Sequence, residues 1–168
     1  MKGTRLLLIL FMCLSLSVNA QSDSVKGWSG ESNFLMTVYR LGSYVKERPT
    51  FFLEQNFNYR FHDHFSAGAG LGINAYPGLL GFPVGVHGKY HFAIKSMNFS
   101  VLQSYHRYLN LGDLFFKSNR YLGELVGHVE LNKIELTPRI GYNYLFDKYD
   151  GRNLGFLLGI GVSYKIGN

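Results

Sequence analysis

Phe65-Ser66-Ala67-Gly68-Ala69-Gly70-Leu71-Gly72-Ile73-Asn74-Ala75 alternates in polarity without a fault. Phe65, Ala67, Ala69, Leu71, Ile73 and Ala75 share one face, and Ser66, Gly68, Gly70, Gly72 and Asn74 share the other. A period of two belongs to a strand whose two faces meet different surroundings. The end of the chain repeats the pattern, with Phe156, Leu158, Ile160, Val162, Tyr164 and Ile166 opposing Leu157, Gly159, Gly161, Ser163 and Lys165. Between them, Phe82, Val84, Val86, Tyr90 and Phe92 oppose Pro83, Gly85, His87, Lys89 and His91.

Five further runs follow the same template with local faults. Ser32 to Arg40 aligns Phe34, Met36 and Val38. Thr50 to Phe61 aligns Leu53, Phe57, Tyr59 and Phe61, with Gln55 as the misfit; Met97 to Tyr108 aligns Phe99, Val101 and Tyr105, with Gln103 as the misfit. Tyr121 to Asn132 sets Leu125, Val129 and Leu131 against Glu124, His128 and Glu130. Glu135 to Phe146 aligns Leu136, Ile140, Tyr142, Tyr144 and Phe146, and contains Pro138. Proline removes a ladder donor, so a bulge or a strand end is expected there.

The eight runs alternate between short and long connections. His62-Asp63-His64, Ala93–Ser96 and Asn132-Lys133 are tight, whereas Leu41–Pro49, Tyr76–Leu80, Leu109–Arg120 and Asp147–Asn153 are mostly longer and polar. Runs of this length match the roughly 9–11 residues that a tilted strand needs to cross a bilayer. In hydrocarbon every backbone polar group must be paired internally, so a sheet crosses only by closing. The expected fold is therefore all-β: a closed eight-stranded antiparallel up-and-down transmembrane β-barrel, with short periplasmic turns and longer outer loops. Glycines on the inner face suit a narrow lumen that side chains fill. Tyr59, Phe61, Phe65, Tyr90, Phe92, Phe99 and Tyr164 fall near the short turns. Tyr76, Phe82, Tyr105, Tyr144, Phe146 and Phe156 fall near the long ones, giving two interfacial belts.

Composition agrees. The 168 residues include 20 Gly, 12 Tyr, 14 Phe and only 17% charged residues, which argues against disorder and against a helical bundle. Lys2 and Arg5 precede the apolar run Leu6 to Leu16, and Val18-Asn19-Ala20 offers small residues for a signal peptidase. Residues 1–20 are expected to be a signal peptide cleaved after Ala20, residues 21–31 a flexible lead, and residues 32–168 the barrel. The apolar run is too short to span a membrane as a helix. Cys13, the one cysteine, lies inside it behind Phe11 and Met12 in place of the small residues that lipid attachment requires, so no disulfide and no lipid anchor is expected. Losing Lys2 and Arg5 lowers the formal charge from +6 to +4, and no basic motif for nucleic acid remains.

The polar face carries Glu54, Glu124, Glu130 and Glu135 against Arg60, Lys89, Arg139 and Lys165. Four charges of each sign predict an internal ion-pair network and a plugged lumen, because a buried charge without a partner costs several kcal/mol. On the outer loops, Lys46, Arg48, Arg107, Lys117, Arg120, Lys148 and Arg152 outnumber Glu47, Asp113, Asp147 and Asp150. That excess suits contact with phosphate-rich lipopolysaccharide, although a solvated loop surface would look the same.

The leader, the eight alternating runs and the closing strand together resemble the small bacterial outer-membrane β-barrel proteins of the OmpA/OmpX-like kind. Gly161-Val162-Ser163-Tyr164-Lys165-Ile166 is similar to that family's assembly signal, but the chain ends in Gly167-Asn168 where the family has an aromatic. The resemblance implies a Gram-negative outer membrane, outer-membrane lipids as surroundings, and periplasmic chaperones and the barrel-assembly machinery as partners during biogenesis. A monomer is expected.

No catalytic, cofactor or metal site is expected. His87, His91, His106 and His128 share the inner face, but His91 and His106 lie at opposite ends, too far apart for one ion. The plainer reading is histidines hydrogen-bonded to nearby glutamates. One family of lipid A-editing barrels uses a His-x-Ser pair, and His64-Phe65-Ser66 matches those letters. It sits at a short turn, however, and Ala67 follows where that family has asparagine. A lipid A acyl hydrolase is the alternative enzyme reading. A soluble ligand-binding barrel of lipocalin type is the other, although Gly27-Trp28 lacks that family's G-x-W spacing.

Overall fold

The computed structural model describes residues 26–41, 49–76, 79–109, 118–147 and 151–166. The expected leader and its cleavage position lie outside them. The strands are β1 (Gly27–Leu41), β2 (Thr50–His62), β3 (Phe65–Tyr76), β4 (Leu79–Gly81), β5 (Pro83–Ile94), β6 (Met97–Tyr108), β7 (Ser118–Leu131), β8 (Ile134–Asp147) and β9 (Gly151–Ile166). Segments β4 and β5 form one crossing, interrupted at Phe82 beside Pro83, which has no N–H to give, while the Phe82 carbonyl still accepts from Leu109 N. Eight antiparallel crossings result. β1 pairs with both β2 and β9, so the sheet closes.

Pairing is staggered. Directly opposed residues lead from Glu31 through Asn56, Gly70, Gly85, His106, Arg120 and Leu145 to Asn153, and from there back to β1 near Leu41. The path misses its start by most of a strand, which is the strand tilt that closure demands. Tilt also lets inward side chains from distant ladder positions meet at one level of the lumen.

The faces divide as the alternation predicts. Phe65, Leu71, Val84, Val86, Phe156, Leu158 and Ile160 are exposed on the outside. Ser66, Asn74, His87, Lys89 and Leu157 are buried within. Inward glycines make room for larger neighbours: a Cβ at Gly85 would collide with the His106 ring, and one at Gly159 with Leu35. Toward the short turns, rings of Phe65, Tyr90, Phe92 and Phe99 contact one another in series, with centroids 5.1 to 6.2 Å apart. Two of the short turns hold their first residue, Lys95 and Asn132, in the left-handed region.

β1, β7 and Pro138 depart from what the sequence leads one to expect, and β4 and β9 begin inside the expected connections Tyr76–Leu80 and Asp147–Asn153. β1 starts at Gly27 instead of Ser32, so residues 27–31 of the expected flexible lead are strand. Gly27, Ser29 and Gly30 hide the alternation, but β2 and β9 flank this segment and supply both of its ladders. β7 begins at Ser118, which moves Arg120 from a loop into the sheet. Pro138 produces neither a bulge nor an end. The β7–β8 ladder skips from Val126–Arg139 to Val129–Leu136 without changing register, leaving Gly127 and His128 without β8 partners opposite the missing donor while β6 still pairs both.

Candidate functional site

The lumen is organised in tiers. Toward the long-connection end, Leu35 (β1), Phe52 (β2), Leu122 (β7) and Leu157 (β9) point inward and form a fully buried apolar cluster. Beside it Arg120 has no exposed surface, and its guanidinium lies 4.7 Å from the Phe52 ring centre. Arg120 pairs with Glu54, and its Nη2 also approaches His106 Nδ1 at 3.3 Å. Stacking on one side and a carboxylate on the other supply the partners that a buried guanidinium requires.

The next tier is a chain of four charges. Lys89 Nζ lies 2.5 Å from Glu31, Arg139 pairs with the other oxygen of Glu31, and Arg139 Nη1 donates to Glu124 at 2.9 Å. These residues come from β5, β1, β8 and β7, and all are nearly or fully buried. Glu31 joins two cations, one through each carboxylate oxygen. Alongside, His87 Nε2 donates to Asn58 Oδ1 at 2.5 Å.

At the short-turn end the lumen opens into a cavity of about 680 Å³. Arg60, Glu130, Glu135 and Lys165 line it, together with His64, His91 and His128. Ser66 Oγ lies 2.8 Å from His91 Nε2, and Ser100 Oγ lies 2.9 Å from His128 Nε2. His128 Nδ1 meets Glu135, and the His91 and His128 rings sit 5.9 Å apart. Among the described residues, no three His, Asp or Glu side chains gather around one metal position.

The expected charge set thus falls into three places. Lys89, Glu124 and Arg139 join the central chain, Glu54 joins Arg120, and Glu135 joins His128. Arg60, Glu130 and Lys165 stand at the mouth; Arg60 donates to the Asp63 carbonyl, and none of the three has an ion-pair partner among the described residues. Glu31, assigned to the lead, is the centre of the network. Arg120, expected among the outer-loop cations, is inside because even-numbered residues of β7 point inward with Leu122 and Glu124. Arg107 lies on β6, exposed at its outer end. Lys46, Arg48, Lys117 and Lys148 lie outside the described residues, and of Arg152 only the backbone is described. His64 and Ser66 do not pair: Ser66 faces His91, while His64 Nδ1 contacts the His91 carbonyl.

No family model matches the sequence, and no curated protein matches it. Among solved structures, neisserial surface protein A (NspA) is similar at 14% identity, with a TM-score of 0.52, over 87% of this chain and 100% of that one. The KdgM porin matches at 13% identity, with a TM-score of 0.36, over 83% of this chain and 99% of that one. With its closed sheet, its apolar outer wall and its polar interior, this chain has the fold of a small outer-membrane β-barrel protein.

Proposed function

We propose that the protein resides in a Gram-negative outer membrane as a barrel of structural or interaction type, with a plugged lumen and no enzymatic activity. The observation that carries this reading is the buried chain Lys89–Glu31–Arg139–Glu124 beneath the apolar cluster of Leu35, Phe52, Leu122 and Leu157. An ion crossing the lumen would have to part these buried, mutually paired charges, at a cost of several kcal/mol for each one stranded. The connections 42–48, 110–117 and 148–150 carry Lys46, Arg48, Lys117 and Lys148, which lipopolysaccharide phosphates or a protein partner would meet. Planar-bilayer recording tests the plug: the folded protein should give no steady conductance, and stable unitary openings would overturn it.

One observation favours a hydrolase as second reading. Ser100, His128 and Glu135 stand in the hydrogen-bonding order of a nucleophile, a base and an orienting carboxylate. Ser100 is fully buried, however, and does not line the cavity, so a substrate carbonyl has no approach to its Oγ. Lipid A mass spectra from cells with and without the protein should be identical. A change in acyl pattern lost on Ser100→Ala would establish the hydrolase instead.

A further inference from the structure

The outer wall carries two glutamines at mid-strand, Gln55 on β2 and Gln103 on β6, and they are treated differently. Gln55 is satisfied at both ends. Its Oε1 accepts from Ser32 Oγ at 2.5 Å, its Nε2 donates to Tyr164 OH at 2.9 Å, and the residue is only 6% exposed. Gln103 has a tyrosine as well, with Tyr121 OH donating to its Oε1. Its Nε2, however, has no acceptor among the described residues, and its side chain is exposed. Directly across the ladder stands Gly88, where nothing lies within 4 Å of the position a Cβ would take. The result is a notch of about 240 Å³ in the outer wall, bounded by Val86, Gly88, Gln103, Tyr105 and Tyr121.

Acyl chains offer no hydrogen-bond acceptor, and lipid carbonyls sit at the interfaces, well away from the middle of a strand. The free amide therefore calls for a protein acceptor at the same depth. Gln103 itself provides one, since its Oε1 keeps a lone pair after accepting from Tyr121. A two-fold axis along the membrane normal preserves the orientation of both copies and sets the same patch against itself. We propose that the notch over Gly88 is a self-association surface in which Gln103 Nε2 of each copy donates to Gln103 Oε1 of the other. Gly88 permits close approach of the two walls, and Val84, Val86 and Tyr105, all exposed, pack around the amide pair. A small residue beside a polar one is the combination that binds membrane segments where no hydrophobic force can. At this one face the chain departs from the monomer expected of its sequence.

The mature chain, folded into phosphatidylcholine vesicles, tests the surface, with heat-dependent gel mobility confirming that each variant is folded. No cysteine follows Cys13, so engineered thiols report alone. Val86→Cys should give disulfide-linked dimers under mild oxidation, whereas Ile160→Cys, exposed on β9 across the barrel, should not. By energy transfer between labelled copies, Gln103→Leu should weaken association about 3- to 20-fold. Gly88→Leu should weaken it too by filling open space without touching the fold, and Gln55→Leu should leave it unchanged. Equal crosslinking at the two thiol positions would overturn the proposal, as would unchanged association in folded Gln103→Leu, the result expected if a lipid chain fills the notch.

Discussion

Arg120 stands next to a connection in sequence and at the centre of the lumen in space. Only its even position in β7 separates the two descriptions, because Leu122 and Glu124 share that parity and point inward. Once inside, it must be paired, and Glu54 on the far side of the barrel does so. Arg120→Met should therefore destabilise the barrel by about 3–5 kcal/mol, most of it the cost of stranding Glu54 in a dry environment. Adding Glu54→Leu should recover a large part of that loss, since a well-packed apolar pair is often no worse than an ion pair. Urea unfolding in vesicles, followed through the one tryptophan, Trp28, measures both; an additive double variant would contradict the pairing. Glu31 makes the same argument with two partners. Glu31→Gln leaves Lys89 and Arg139 both short of a directly paired carboxylate, whereas Glu124→Gln breaks one ion pair, to Arg139, and removes a nearby charge from Arg120. The first should lower the urea midpoint more than the second.

At the scale of elements, strands were legible wherever an apolar face met a polar one without interruption. β3, β5 and β9 read directly because hydrocarbon on one side and a side-chain-filled lumen on the other impose opposite preferences at every step. β1 was legible only from Ser32 onward. Its first residues are small or polar, and what makes them strand is the pair of neighbours that closes the barrel, a long-range fact. Gln55 and Gln103 looked like faults because their partners, Tyr164 and Tyr121, lie on other strands. The candidate site shared this limit: inward parity picked out Lys89, Glu124 and Arg139, while Glu31 fell in the stretch read as a lead and Arg120 in the stretch read as a loop. Tyr164 illustrates how such partners hold elements together, since its ring covers Gly30 on β1 while its hydroxyl reaches Gln55 on β2. Tyr164→Phe should leave the Gln55 amide without an acceptor in hydrocarbon and cost about 1–3 kcal/mol. The same unfolding titration reads it, and a change within error would mean that water or lipid headgroups reach Gln55.

For the whole molecule, the connections decide which way the barrel faces. Its two kinds of end are chemically distinct: one has the two-residue turns at 63–64, 95–96 and 132–133 together with both ends of the strand sequence, Gly27 and Ile166. The other has the connections 42–49 and 109–117, where the chain is longest between strands. In barrels inserted from the periplasm the short turns remain on the periplasmic side. The open cavity lined by Arg60, His91, His128, Glu130 and Lys165 would then face the periplasm, and the apolar cluster would lie toward the outer leaflet. Exposed Arg107 at the outer end of β6 would stand at the level of the lipopolysaccharide phosphates. An epitope inserted within 110–117 should bind antibody on intact cells, while an epitope after Asn168 should bind only once the outer membrane is permeabilised. If the terminal epitope is the one labelled on intact cells, the barrel is inverted: the cavity opens outward, and the basic connections cannot meet lipopolysaccharide.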